Sequence, residues 1–113
     1  MEKLIQLSKM LSDETRFRII MLLYHEKLCV CEICGILELS QPKISRHLGK
    51  LRDTGFVRDE RKEQFIFYYL DLVDPVIQRI VALIANDIAA YPVLVADRER
   101  LADKDQFMQS CKA

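Results

Sequence analysis

The chain has 113 residues, 17 basic and 17 acidic side chains and 50% apolar residues: enough for one core, and small enough that a second copy would add useful burial. No apolar run approaches the roughly eighteen residues that span a membrane, and the start MEKLIQLSKMLSDE is too charged for a secretory signal. The reading is a cytoplasmic protein, where thiols stay reduced and closely spaced cysteines act as metal ligands or redox switches rather than structural disulfides.

Leu4, Leu7 and Leu11 fall at helical spacing on a first helix over residues 3–10. Ser12 or Asp13 caps a second, with Asp13 and Glu14 in its first turn and Phe17, Ile20, Met21 and Tyr24 facing inward. A short third helix covers residues 31–37. Ser40 and Pro42 start a fourth that ends at Thr54 and Gly55. Here Ile44, Leu48 and Leu51 share one face, and Gln41, Lys43, Ser45, Arg46, His47 and Lys50 occupy the rest.

After Gly55 the period changes. Residues 56–60 and 64–70 are rich in Phe, Val, Ile and Tyr and flank the charged turn Arg61, Lys62, Glu63, which predicts a β-hairpin with a basic tip. Asp74 and Pro75 open a last long helix from Val76 to about Ala90, with Ile77, Ile80, Ile84 and Ile88 close to one stripe, and Pro92 ends it. Residues 93–113 read as a weakly structured tail, so residues 1–92 form the folded unit. The stripe Ile77, Ile80, Ile84 is the predicted seam of a two-fold homodimer.

Zero net charge hides an uneven distribution. Residues 40–62 carry seven basic side chains against Asp53, Asp59 and Glu60, a segment charge of +4, which is the footprint of a nucleic-acid contact surface. Helix, short helix, turn, basic helix and two-stranded hairpin is the order of a winged helix-turn-helix, a mainly α fold with a small β-hairpin. Its second paired helix lies in the major groove. Gln41, Ser45, Arg46 and His47 can then reach bases, Lys43, Lys50 and Arg52 can hold phosphate, and Arg61 and Lys62 stand at the wing tip.

Cys29, Cys31 and Cys34 lie within six consecutive positions. Buried structural cysteines account well for one such residue and poorly for three. In a helix Cys31 and Cys34 share a face while Cys29 points nearly the other way, so meeting on one atom requires the start of the third helix to stay irregular or unwind. A cysteine at a helix N-terminus is also expected to ionise more easily, which here concerns the position near Cys31.

LCVCEIC followed by LSQPKISRHLGKLRDTG resembles the ArsR/SmtB family of bacterial metal-sensing repressors, its arsenic-responsive members in particular, over residues 11–70. The resemblance implies a dimer that binds an inverted repeat of double-stranded operator DNA and lets go when a toxic metal or metalloid binds. It implies no enzymatic activity and no required cofactor, with Cys29, Cys31 and Cys34 as the three ligands of As(III) or Sb(III). Soft thiolates suit this ion, which makes three bonds and keeps a lone pair.

Zinc-sensing relatives use histidines and carboxylates on the last helix, whereas the histidines here are His25 and His47. Cadmium and lead sensors resemble this chain at LCVC but draw further cysteines from an N-terminal extension. That sensor type and a thiol-oxidation sensor on the same fold are the alternatives. A redox CxxC enzyme would place Cys31 and Cys34 after a strand in a βαβ unit, which the helical pattern does not offer. Cys111, near the C-terminus, reads as a free surface thiol.

Overall fold

Asp13 starts the helix around which the others are arranged: its carboxylate accepts the backbone N–H of Arg16 at 3.1 Å, satisfying one of the orphan donors of a helix start. The computed structural model describes residues 1–112, with side chains through residue 109. In chain order come α1 (Glu2–Leu11), α2 (Glu14–His25), β1 (Leu28–Cys29), α3 (Val30–Leu37), α4 (Gln41–Thr54), β2 (Val57–Lys62), β3 (Phe65–Leu70), α5 (Pro75–Ala85), α6 (Pro92–Arg100) and α7 (Lys104–Lys112). A 3-10 turn, Leu101–Asp103, joins the last two.

Ile20 and Met21 are buried in α2 as expected, but so are Ile19, Leu22 and Leu23, because α1, α4, α5, α6 and β3 all pack against it. A helix apolar around most of its circumference belongs at the centre of a fold. Ile33, Ile36 and Leu37 of α3, Ile44, Leu48 and Leu51 of α4, and Ile77 and Val81 of α5 complete the core.

The hairpin forms with β2 and β3 in register from Val57↔Leu70 to Lys62↔Phe65. Its tip closes without glycine, with Glu63 taking φ +60°, a conformation that strains an ordinary side chain. Leu28 and Cys29 add a third, antiparallel strand, giving the order β1-β3-β2. With α3 and α4 as the helix pair and this sheet as the wing, the fold is a winged helix-turn-helix.

Three expectations about the C-terminal part are corrected. The helix beginning at Pro75 stops at Ala85, where Asn86 caps it, and the following turn brings Ile88 back to the core. Pro92 does not end a helix but stands in the first turn of α6, where its missing N–H costs nothing. The segment read as a weak tail forms α6 and α7, and α7 packs along α3.

Candidate nucleic-acid interface and thiol cluster

Ser40 caps α4 in extended conformation, Pro42 sits in its first turn and Gly55 ends it at φ +84°, a left-handed position that favours glycine. Between these stops Ile44, Leu48 and Leu51 are 0% exposed, each contributing about 1.5–3 kcal/mol. Anchoring that stripe rotates the opposite side of the helix outward. Gln41, Arg46 and Lys50 are exposed there, and Lys43, Ser45 and His47 are half-buried at its flanks.

The exposed set is partly preorganised. Gln41 Nε2 donates to Ser45 Oγ at 2.7 Å. Arg16 Nη1 lies 3.4 Å from His47 Nδ1, and burial pushes the His47 pKa down, so this histidine is tied to the start of α2 as much as it faces outward. Arg52 pairs with Asp59 of β2 at 2.9 Å. It braces α4 against the wing, and a phosphate would have to compete with that carboxylate. Arg61 and Lys62 are exposed at the wing tip.

On the neighbouring helix, Cys29 is both the last residue of β1 and the N-cap of α3. It is 1% exposed and lies opposite Phe67 in the ladder with β3. Its backbone N–H donates to Glu32 Oε1 at 3.0 Å, and the Cys29 sulfur accepts the Glu32 backbone N–H in return, a reciprocal cap. Glu32 is itself buried. Sequence reasoning passed over its role, although a Glu three residues after a cap carries that signal.

At Cys29 the N–H groups of the helix start favour the thiolate, but burial outweighs them. Desolvation, helped by the Glu32 carboxylate, pushes this thiol up to about 11, and burial also raises Cys34. Cys29 and Cys34 are free thiols. Because α3 is regular from Val30, Cys31 and Cys34 lie within the helix and Cys29 outside it. Among the described residues no three His, Cys, Asp or Glu side chains are gathered so that they could hold an ion.

The sequence profile of the bacterial regulatory proteins of the arsR family matches residues 13–59. HlyU from Vibrio cholerae N16961 superposes with a TM-score of 0.68 at 32% identity, over 75% of this chain and 90% of that one. The chain belongs to the ArsR family. It is 54% identical over 63 residues to the arsenic resistance transcriptional regulator ArsR1 of Pseudomonas putida, across 55% of this chain and 49% of the relative. The chain thus spans about half the length of curated relatives that it matches. In fold alone it is also similar to the homodimeric winged helix-turn-helix DNA-binding domain of a possible ArsR-family regulator from Mycobacterium bovis, with TM-score 0.63 and 22% identity over 74% of this chain and 75% of that one.

No described helix is long and apolar enough to cross a membrane. Of the stripe expected to form a dimer seam, Ile77 is 1% exposed within its own chain and so is unavailable to a partner. Ile80 and Ile84 are half-buried. The outward side of α5 carries Val76 and Leu83, 44% and 71% exposed. Leu83 and Ile84 also line a groove of about 870 Å³, shared with Leu11, Phe17, Tyr91 and Leu94.

Proposed function

We propose that this protein is a dimeric transcriptional repressor that binds operator DNA through α4 and the wing and releases it when trivalent arsenic or antimony engages Cys29, Cys31 and Cys34. The observation that carries the reading is the direct packing of α3, which bears Cys31 and Cys34 and is capped by Cys29, on α4, which bears the exposed basic face. The arsenic-resistance relative supports the choice of ligand.

In this reading Gln41, Ser45 and Arg46 meet base edges, with His47 at the flank. Lys43 and Lys50 hold phosphates, as do Arg61 and Lys62 from the wing, while Arg52 supports the joint between helix and wing. The second copy joins along Val76, Ile80, Leu83 and Ile84, where burial of apolar area drives association. Two-fold symmetry then places two α4 helices for successive major grooves.

The donor set suits the ligand: a trivalent arsenic ion offers three soft bonding positions and keeps a lone pair. A regular α3 cannot present Cys29, Cys31 and Cys34 to one point, so bringing them together breaks the Cys29–Glu32 cap and unwinds the helix start. Cys29 lies opposite Phe67 in the ladder with β3 and α3 lies on α4, so the same movement strains both DNA-contacting elements. Two sites that share one element are coupled reciprocally.

The test is operator binding by fluorescence anisotropy in reducing buffer with added arsenite. The parent protein should bind a palindromic operator and be released, and Cys29→Ser, Cys31→Ser and Cys34→Ser should each bind but stay bound. Normal release from the Cys31 or Cys34 variant would sink the ligand assignment. Release by cadmium but not by arsenite would move the protein to the other soft-metal class.

A further inference from the structure

Arg16 stands in the first turn of α2, at a joint between three helices. Its Nη2 donates to the Lys9 carbonyl near the end of α1 at 3.1 Å, and its backbone N–H is held by Asp13 at 3.1 Å. Its Nη1 lies 3.4 Å from Nδ1 of His47 on α4, the helix that packs on α2. The Arg16 Nε is buried, so that end of the guanidinium faces into the joint and not toward a phosphate.

The chemistry of this contact decides where the His47 proton sits. A guanidinium carries only N–H donors and keeps its charge. Nδ1 is therefore the acceptor, the ring is neutral, and its one proton is on Nε2, on the other side of the ring. Burial favours the same neutral form, as do the positive charges of Arg16, Lys43 and Lys50, with the Asp13 carboxylate opposing them. His47 itself is half-buried beside the exposed Arg46 and Lys50.

Building on the reading of α4 as the helix that meets base edges, we propose that Arg16 is a positioning residue for sequence recognition: it holds His47 as the neutral Nε2–H tautomer, so that the ring offers the major groove one donor and no charge. Such a donor suits N7 and O6 of guanine, N7 of adenine and O4 of thymine, and it opposes the amino group of cytosine, which is itself a donor. Without Arg16 the proton moves to either nitrogen or a second one is taken up, and the ring then accepts cytosine or any phosphate. Arg16 thus contributes to specificity through His47 without touching DNA.

The experiment uses the full chain with nitrogen-15 in its histidine rings, observed by long-range proton–nitrogen NMR at neutral pH, with His47→Ala assigning the signals. His47 in the parent should show a protonated Nε2 and an unprotonated Nδ1. Arg16→Met should give a mixture of tautomers and a titration midpoint at higher pH, since a positive neighbour is gone and Asp13 remains. An unchanged tautomer and midpoint in that variant overturn the proposal. If Arg16→Met loses its helical circular dichroism, the parent decides: the single Nε2–H form supports the proposal, and a mixed or protonated ring overturns it. In fluorescence anisotropy, Arg16→Met and His47→Ala should each lower the preference for operator over scrambled duplex by about three- to tenfold. The double variant should be no worse than His47→Ala, and Arg16→Met should keep the parental salt slope. Additive losses, or a reduced slope, overturn the proposal by making Arg16 a contact in its own right. A parent that prefers no duplex overturns the DNA reading itself, whereas an unchanged tautomer in a parent that does bind its operator overturns the role of Arg16 alone.

Discussion

Arg18 and Asp97 form the most buried ion pair among the described residues, with side chains 18% and 5% exposed. A carboxylate in that position loses its hydration, and two charge-assisted hydrogen bonds replace it. Removing one partner strands the other. Arg18→Met should therefore destabilise the fold by about 3 kcal/mol in urea unfolding, while the double change Arg18→Met with Asp97→Leu should recover most of that loss. Equal losses in the single and double variants would show that packing, not charge, holds α6. Gly35 makes a second case. In an open helix Gly→Ala is worth up to about 1 kcal/mol of stabilisation, but here the new methyl meets Phe107. Gly35→Ala should speed tryptic cleavage in the arm formed by α6 and α7, at Arg100 and Lys104, and the added change Phe107→Ala should slow it again. Unchanged cleavage in Gly35→Ala would mean that the arm does not rest on this contact.

At the scale of elements, α4 carries a residue whose own helix does not need it. A Cβ at Gly49 meets nothing within 4 Å, so the fold gives no reason to omit the side chain. Gly49→Ala should raise stability by about 0.5–1 kcal/mol in thermal or urea unfolding, because it favours the helix. A drop in operator affinity in the same variant would show that the nucleic acid approaches the backbone there. Lys50→Ala should weaken all DNA binding and lower the salt slope of the binding constant by about 1, and an unchanged slope would take Lys50 off the phosphate. The elements that were legible in the sequence are those with a strong local period: the Ile44, Leu48, Leu51 stripe and the alternating wing. A two-residue strand has no period, and the pairing of Leu28 and Cys29 with Tyr68 and Phe67 is set by the wing, far away in sequence. The end of α5 was missed because Ile88 continues the spacing of Ile80 and Ile84 beyond the actual stop at Ala85. The helices α6 and α7 were hidden by alternating charges, which find partners in Arg18, Glu26 and Glu38 only once the chain has folded. The thiol cluster was legible as a cluster. The burial of Cys29 and its raised pKa were not, since both depend on neighbours that the local sequence does not name.

For the whole molecule, zero net charge and a basic exposed face on α4 coexist because the acids lie elsewhere, and in the proposed dimer two copies double that face without changing the balance. Leu83→Asp tests the assembly cleanly: at 71% exposure the side chain is not needed by its own subunit, so the variant should fold with near-parental stability yet sediment as a monomer with weak operator binding. A tight dimer would place the seam elsewhere. Release of the dimer from DNA is then attributed to three thiols that a regular α3 holds apart and that a single ion draws together. The most direct measurement is X-ray absorption at the arsenic edge on the reduced protein loaded with arsenite, using Cys111→Ser so that no sulfur from the arm contributes. The account predicts one arsenic per subunit bonded to three sulfurs, falling to two in Cys34→Ser. Two sulfurs and an oxygen in Cys111→Ser itself, or an unchanged sulfur count when Cys34 is removed, would contradict it.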